Sequence, residues 1–130
     1  MFALDTNTLI YYFKGMGRVA ACLQSHKPFE LAIPIAVLYE IETGLAKSTN
    51  PAKRRKQLDA MLAILKVLPF DRAAVRESAT LRATLEARGQ PLGAMDYLIA
   101  GISLANHATL VTHNTREFGR VAKLQIVDWF

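Results

Sequence analysis

Short apolar runs alternate with longer stretches of helical spacing along this chain. Phe2-Ala3-Leu4 is an apolar run that stops at Asp5. Thr6 and Asn7, both good cap or turn residues, precede Leu9-Ile10-Tyr11-Tyr12-Phe13. Gly15 and Gly17 break that segment, and a helix resumes from Arg18 to Ser25. Leu31-Ala32-Ile33 reads as a second strand closed by Pro34. Val37, Leu38, Ile41 and Leu45 then share one arc of a helix from Ile35 to Lys47. Asn50-Pro51 predicts the next helix start, with Asn as N-cap and Pro at the first helical position. Leu58, Met61, Leu62 and Leu65 supply its apolar face. Val67-Leu68-Pro69-Phe70 is a third strand, and Asp71 caps a long helix to Arg88, stopped by Gly89 and Pro91. A further helix runs from Ala94 to Asn106, with Met95, Leu98, Ile99 and Ile102 as its stripe. Thr109–Thr112 and Leu124–Val127 complete the strands. Five short strands and as many helices, in alternation, predict an α/β fold with a mostly parallel sheet.

Composition narrows the class. The chain has 130 residues and shows neither repeat nor linker, so residues 1–130 read as one domain. Hydrophobic residues make up 52%, enough for a real core, and charged residues only 21%, too few for a disordered tail. Sixteen Lys and Arg against eleven Asp and Glu leave +5, which favours a polyanionic partner. Cys22 is the one cysteine, so a disulfide framework and a multi-cysteine zinc site are excluded. It lies in Val19-Ala20-Ala21-Cys22-Leu23, a run that reads as buried helix. The start carries no signal-peptide pattern, and no apolar run approaches the roughly 20 residues of a membrane span. The expected location is the cytoplasm, with no membrane contact.

The carboxylates carry the candidate chemistry. In open α/β sheets, sites form at the carboxyl ends of the strands. Asp5 lies just past the first strand, although an Asp there can equally serve only as a helix cap. Asp96 lies in the first turn of its helix, where the dipole favours an ionised carboxylate, and again a helix-start role is an equal alternative. Glu40 and Glu42 flank the apolar arc of their helix on opposite edges, so periodicity does not choose between them. Thr112-His113-Asn114-Thr115 is either a polar capping loop or an oxygen-rich loop at the same sheet edge as Asp5. Oxygens from several elements suit a hard divalent cation, whereas His26, His107 and His113 show no zinc-ligand spacing.

On these residues the chain resembles the PIN-domain ribonucleases, and among them the VapC toxins of bacterial toxin–antitoxin pairs. The matching stretches are Leu4-Asp5-Thr6-Asn7-Thr8-Leu9-Ile10, Tyr39-Glu40-Ile41-Glu42-Thr43-Gly44-Leu45, Met95-Asp96-Tyr97-Leu98-Ile99-Ala100 and Leu110-Val111-Thr112-His113-Asn114-Thr115-Arg116-Glu117-Phe118. Their order and spacing fit over essentially the whole chain. The resemblance implies a PIN-like three-layer fold and a Mg²⁺-dependent endoribonuclease, with Mn²⁺ as a substitute. It also implies Asp5, Glu40 and Asp96 as metal-binding acids. The family pattern of an acid, Leu or Ile, two residues and Gly selects Glu40 over Glu42. Where many PIN domains carry a fourth acid, this chain has Asn114, which offers an oxygen but no charge.

The chemistry so implied is attack of metal-activated water on an RNA phosphodiester. Asn114 joins the three acids as a catalytic candidate, and Thr6, Asn7 and Thr112 are candidate phosphate contacts or supports for the ligands. Lys14, Arg116 and Arg120 lie near the strand-end loops and are candidate RNA contacts, while Lys53-Arg54-Arg55-Lys56, the densest basic run, is either a solvated helix face or a further RNA-contacting patch. The resemblance further implies a tRNA substrate, with the anticodon region of initiator tRNA the specific candidate. Implied partners are a homodimer mate and a VapB-type antitoxin, which alone would contact operator DNA. Two other Asp-led families fit less well. Haloacid-dehalogenase phosphatases need a second acid where Asn7 stands, and receiver domains need an acid adjacent to Asp5. A PIN-fold module that binds RNA or protein without cutting is the non-enzyme alternative.

Overall fold

The computed structural model describes residues 1–130 and contains five short parallel strands and seven α-helices. In chain order they are β1 (Phe2–Leu4), α1 (Thr6–Lys14), α2 (Val19–Gln24), β2 (Leu31–Pro34), α3 (Ile35–Lys47), α4 (Ala52–Leu62), β3 (Lys66–Leu68), α5 (Arg72–Ala87), α6 (Ala94–Ala105), β4 (Thr109–Val111), α7 (Thr115–Phe118) and β5 (Ile126–Val127). The expected α/β architecture with a five-stranded sheet is the one found.

The sheet order is β3-β2-β1-β4-β5. Every pair is parallel, with Leu4 beside Val111 and Ala3 beside Ala32. The chain steps outward from β1 through β2 to β3, then crosses to the other side of β1 for β4 and β5. The reversal falls between β1 and β4, and crevices for ligands open at the carboxyl ends of strands on either side of such a reversal. Asp5 and Thr112, the first residues past those two strands, therefore stand at its lip.

Burial explains why the strands are continuous apolar runs. Both faces of the sheet are covered, so Ala3, Leu4, Ile33 and Leu110 are fully buried together with Leu9 of α1 and Ile99 and Ile102 of α6. Every buried side-chain nitrogen and oxygen has a hydrogen-bond partner. Asp71 caps α5 as expected, its Oδ1 accepting the Ala74 N–H at 3.0 Å.

Several boundaries differ from expectation. Helix α4 begins at Ala52, with Pro51 rather than Asn50 at the cap position and no side-chain cap bond. The Asn50 N–H instead turns to Ser48 Oγ. Strand β3 ends at Leu68, since Pro69 has no N–H to extend the ladder. Only Ile126 and Val127 of the last run pair with β4. Cys22 is half-buried. The short helix α7 was expected as loop, because four residues leave no periodicity to detect.

Helices α5 and α6 form a tight hairpin at one glycine. A Cβ built on Gly101 would lie 1.8 Å from Ser78 Oγ and 2.8 Å from the Ser78 backbone nitrogen. Ser78 Oγ also donates to the Tyr97 carbonyl at 2.9 Å, so it is fixed in that place. Gly101→Ala is therefore expected to destabilise the fold by about 1–3 kcal/mol despite alanine's better helix propensity. Urea unfolding monitored by circular dichroism measures the difference.

Candidate active site

Asp5 is the hub of the strand-end crevice. Its backbone N–H continues the β1–β4 pairing by donating to the Val111 carbonyl at 3.0 Å. Its side chain caps α1: Oδ1 accepts the Thr6 N–H and Oδ2 accepts the Thr112 hydroxyl, both at 2.8 Å. Asp5 is only 5% exposed. Burial pushes its carboxyl above the usual range, the Thr112 and Thr6 bonds pull it back, and Glu40 raises it again. Capping and membership of an acid group are thus the same placement.

Glu40 and Asp96 lie near it, and Glu117 lies near Asp96. Glu40 of α3 accepts the Thr6 hydroxyl at 2.5 Å, so one threonine serves Asp5 through its N–H and Glu40 through its Oγ1. Asp96 stands half-buried in the first turn of α6, with its carboxyl pushed up to about 6 by burial and by the charges of Asp5, Glu40 and Glu117. Glu117 is the acid the sequence reading missed. It lies on α7 and accepts the Asn114 side-chain N–H at 3.1 Å. Asn114, the neutral amide at the place of the fourth acid, orients a carboxylate three residues on. Asn114 followed by Glu117 is an N-cap and N3 spacing, a signal that was present in the sequence. None of the four acids is ion-paired.

Glu42 points elsewhere. Both its oxygens meet Arg55 of α4, which also reaches Asp59, and the guanidinium holds the Glu42 carboxyl below the usual range. The basic run therefore divides. Arg55 braces α3 against α4, while Lys53 and Arg54 line a cleft of about 460 Å³ together with Lys14 and Glu40. Lys56 is exposed outside that cleft. Arg120 donates to the Pro91 carbonyl and borders a different cleft with Arg88 and Lys123, and Arg116 is exposed on α7. Asn7 is exposed in the first turn of α1. His113 stacks on Phe130 with its Nδ1 2.8 Å from Asp128 Oδ2, and so is engaged with the C-terminal residues.

The donor set is all oxygen: four carboxylates, two threonine hydroxyls and an amide. That suits a hard divalent cation and not zinc. As placed, no three of the carboxylates converge closely enough to grip an ion unaided. An ion held there would need water to complete its shell, or side chains to turn.

Two measurements test this geometry. Thr112→Val keeps the shape but leaves Asp5 Oδ2 without its buried donor, and should cost about 1–3 kcal/mol in urea unfolding. Asp96 has a folded-state pKa above its unfolded value, so the folded state binds the extra proton. Stability at low salt without divalent ions should therefore fall as pH rises from about 4 to about 6. Asp96→Asn should flatten that decline and melt above wild type at pH 7.

The crevice has counterparts in known proteins. Residues 2–124 match the PIN domain family. The tRNA(fMet)-specific endonuclease VapC of Shigella flexneri is 32% identical over 98% of this chain and 97% of its own length. Ribonuclease VapC2 of Rickettsia felis is 31% identical over 99% of this chain and 98% of its own. Among solved structures, DNA-bound VapBC from Salmonella typhimurium superposes with a TM-score of 0.91 at 31% identity, covering 99% of this chain and 98% of that one. VapBC2 from Rickettsia felis bound to a promoter DNA fragment gives 0.90 at 30%, with the same coverage. With a family match over nearly its full length and relatives above 30% identity, the chain belongs to the PIN-domain family, in its VapC branch.

Proposed function

We propose that this protein is a divalent-metal-dependent endoribonuclease toxin that cuts tRNA in an exposed loop, with the initiator tRNA anticodon region as its target. The observation that carries this reading is the group of four carboxylates without cationic partners at the β1–β4 reversal. Like charges so placed are held together at a cost, and a site built on a divalent ion recovers it. The Shigella flexneri relative's stated specificity for tRNA(fMet) supports the choice of substrate.

Asp5, Glu40 and Asp96 are the residues that would hold Mg²⁺, with Mn²⁺ able to substitute and Glu117 closing the open side. When bound, the ion lowers the pKa of its water and offsets charge on the phosphate. The chain's own contribution is positioning. Thr6 and Thr112 fix both oxygens of Asp5, Thr6 also sets Glu40, and Asn114 sets Glu117. Lys14, Lys53 and Arg54 supply positive charge beside Glu40, where RNA phosphates would lie. Arg116 and Arg120, on the other side of the crevice, are proposed contacts to the body of the tRNA.

A cognate antitoxin is the proposed regulator, since the solved relatives are VapBC complexes. An apolar groove of about 410 Å³ between α1, α2 and α4, lined by Tyr12, Met61 and the exposed Ile64, offers its segment a seat. Ile35 and Tyr39, one turn apart and exposed on α3, offer a second copy of this chain an apolar strip. No helix is long and apolar enough to cross a membrane, and the cytoplasm is the proposed location.

The test is cleavage of a bulk tRNA pool by antitoxin-free protein. Mg²⁺ should yield discrete fragments, and EDTA should abolish them until Mg²⁺ or Mn²⁺ is restored in excess. Asp5→Asn and Asp96→Asn should each lose about two orders of magnitude or more in rate. Cleavage that survives both substitutions or the chelator refutes the metal-nuclease reading. RNA bound but left intact by wild type would favour the non-cutting module.

A further inference from the structure

Helix α3 carries a glycine that the fold itself does not require. Gly44 lies in the helix interior, and its φ is outside the left-handed region. A Cβ built on it meets nothing within 4 Å. Glycine weakens a helix interior relative to alanine, so such a position needs a reason. Gly101 has one in Ser78, which fills the space its missing side chain leaves. Gly44 has no such neighbour within the chain, and the space beside it is the cation-lined cleft.

The cleft's chemistry says what could fill that space. Ile10, Ile41 and Leu45 give it apolar walls, and Ser48 and Asn50 give it hydroxyl and amide groups. Its volume of about 460 Å³ lies in the range of small-molecule sites. Apolar surface beside a few polar groups is what an unstacked base requires. Phosphate would find Arg54 already set. Its guanidinium lies 5.0 Å from the centre of the Phe13 ring and donates to Gln57 Oε1 at 2.7 Å, while Gln57 donates to the Phe13 carbonyl at 3.2 Å. Lys14 and Lys53 add two more cations, and Glu40 joins the cleft to the acid group.

We infer that the cleft beside Gly44 seats one unpaired nucleotide of the RNA substrate, next to the phosphate that is cut. Its base lies against the backbone of α3, and its flanking phosphates rest on Lys53 and Arg54. Gly44 is bare so that the base can come this close. This inference rests on the nuclease reading above and specifies how its substrate is held. An acidic antitoxin segment is the competing occupant. Three cations in a cleft that adjoins the acids favour RNA.

The experiment measures binding apart from cleavage. Each variant is made in an Asp5→Asn background, since asparagine caps a helix as well as aspartate does. The probes are bulk tRNA and a short labelled single-stranded oligoribonucleotide. Gly44→Ala and Gly44→Leu should melt at or above the parent, because the added side chain meets open space. Gly44→Leu should bind both probes roughly tenfold or more weakly, with Gly44→Ala in between. Arg54→Gln should weaken binding and lower the salt slope by about one. Lys66→Gln, exposed at the amino end of β3 and away from the cleft, should change neither. RNA affinity unchanged in Gly44→Leu overturns the inference. Failure of the Asp5-intact protein to cut RNA would overturn the nuclease reading and leave this binding comparison standing.

Discussion

Repulsion among four carboxylates is the constraint on which the crevice depends. Asp5, Glu40, Asp96 and Glu117 come from four different helices or helix starts, and no cation of the chain neutralises them. What holds them is neutral. Thr6, Thr112 and Asn114 donate N–H and O–H groups to three of the four. Neutral donors orient carboxylates without taking their charge, so the group keeps its negative charge. Asp96 has no such donor, and burial together with the charges of Asp5, Glu40 and Glu117 raises its carboxyl.

The same logic separates the two glutamates of α3. Glu42 is neutralised by Arg55 and becomes a brace between α3 and α4. Glu40, two residues earlier and on the other edge of the helix, meets only a hydroxyl. The brace also aims the start of α4. With Arg55 engaged on one side, Lys53 and Arg54 are turned toward the cleft. Negative and positive surfaces thus lie side by side, one suited to a metal ion and the other to the polyanion it would act on.

Most of the architecture was legible in the sequence because doubly covered parallel strands must be short apolar runs bounded by polar residues. Asp71 was legible as a cap because a single local bond decides it. Glu40 against Glu42 was not legible from periodicity, since the decision lies in Arg55, thirteen positions away and on another helix. Glu117 escaped because α7 is too short for a hydrophobic period, and only its spacing from Asn114 announced it. The basic run looked uniform in one dimension. The turn of a helix gave its members different tasks.

The bond between Asp5 and Thr112 joins residues 107 positions apart. Its consequence concerns the order in which the protein is made. A nascent chain that has β1, α1 and α3 already carries Asp5 and Glu40. It still lacks the hydroxyl that fixes Asp5, the strand that Asp5 pairs with, and the fourth acid with its amide. The crevice is complete only after residues 109–127 have emerged and paired, so its acid group stays unassembled for most of the chain's own synthesis.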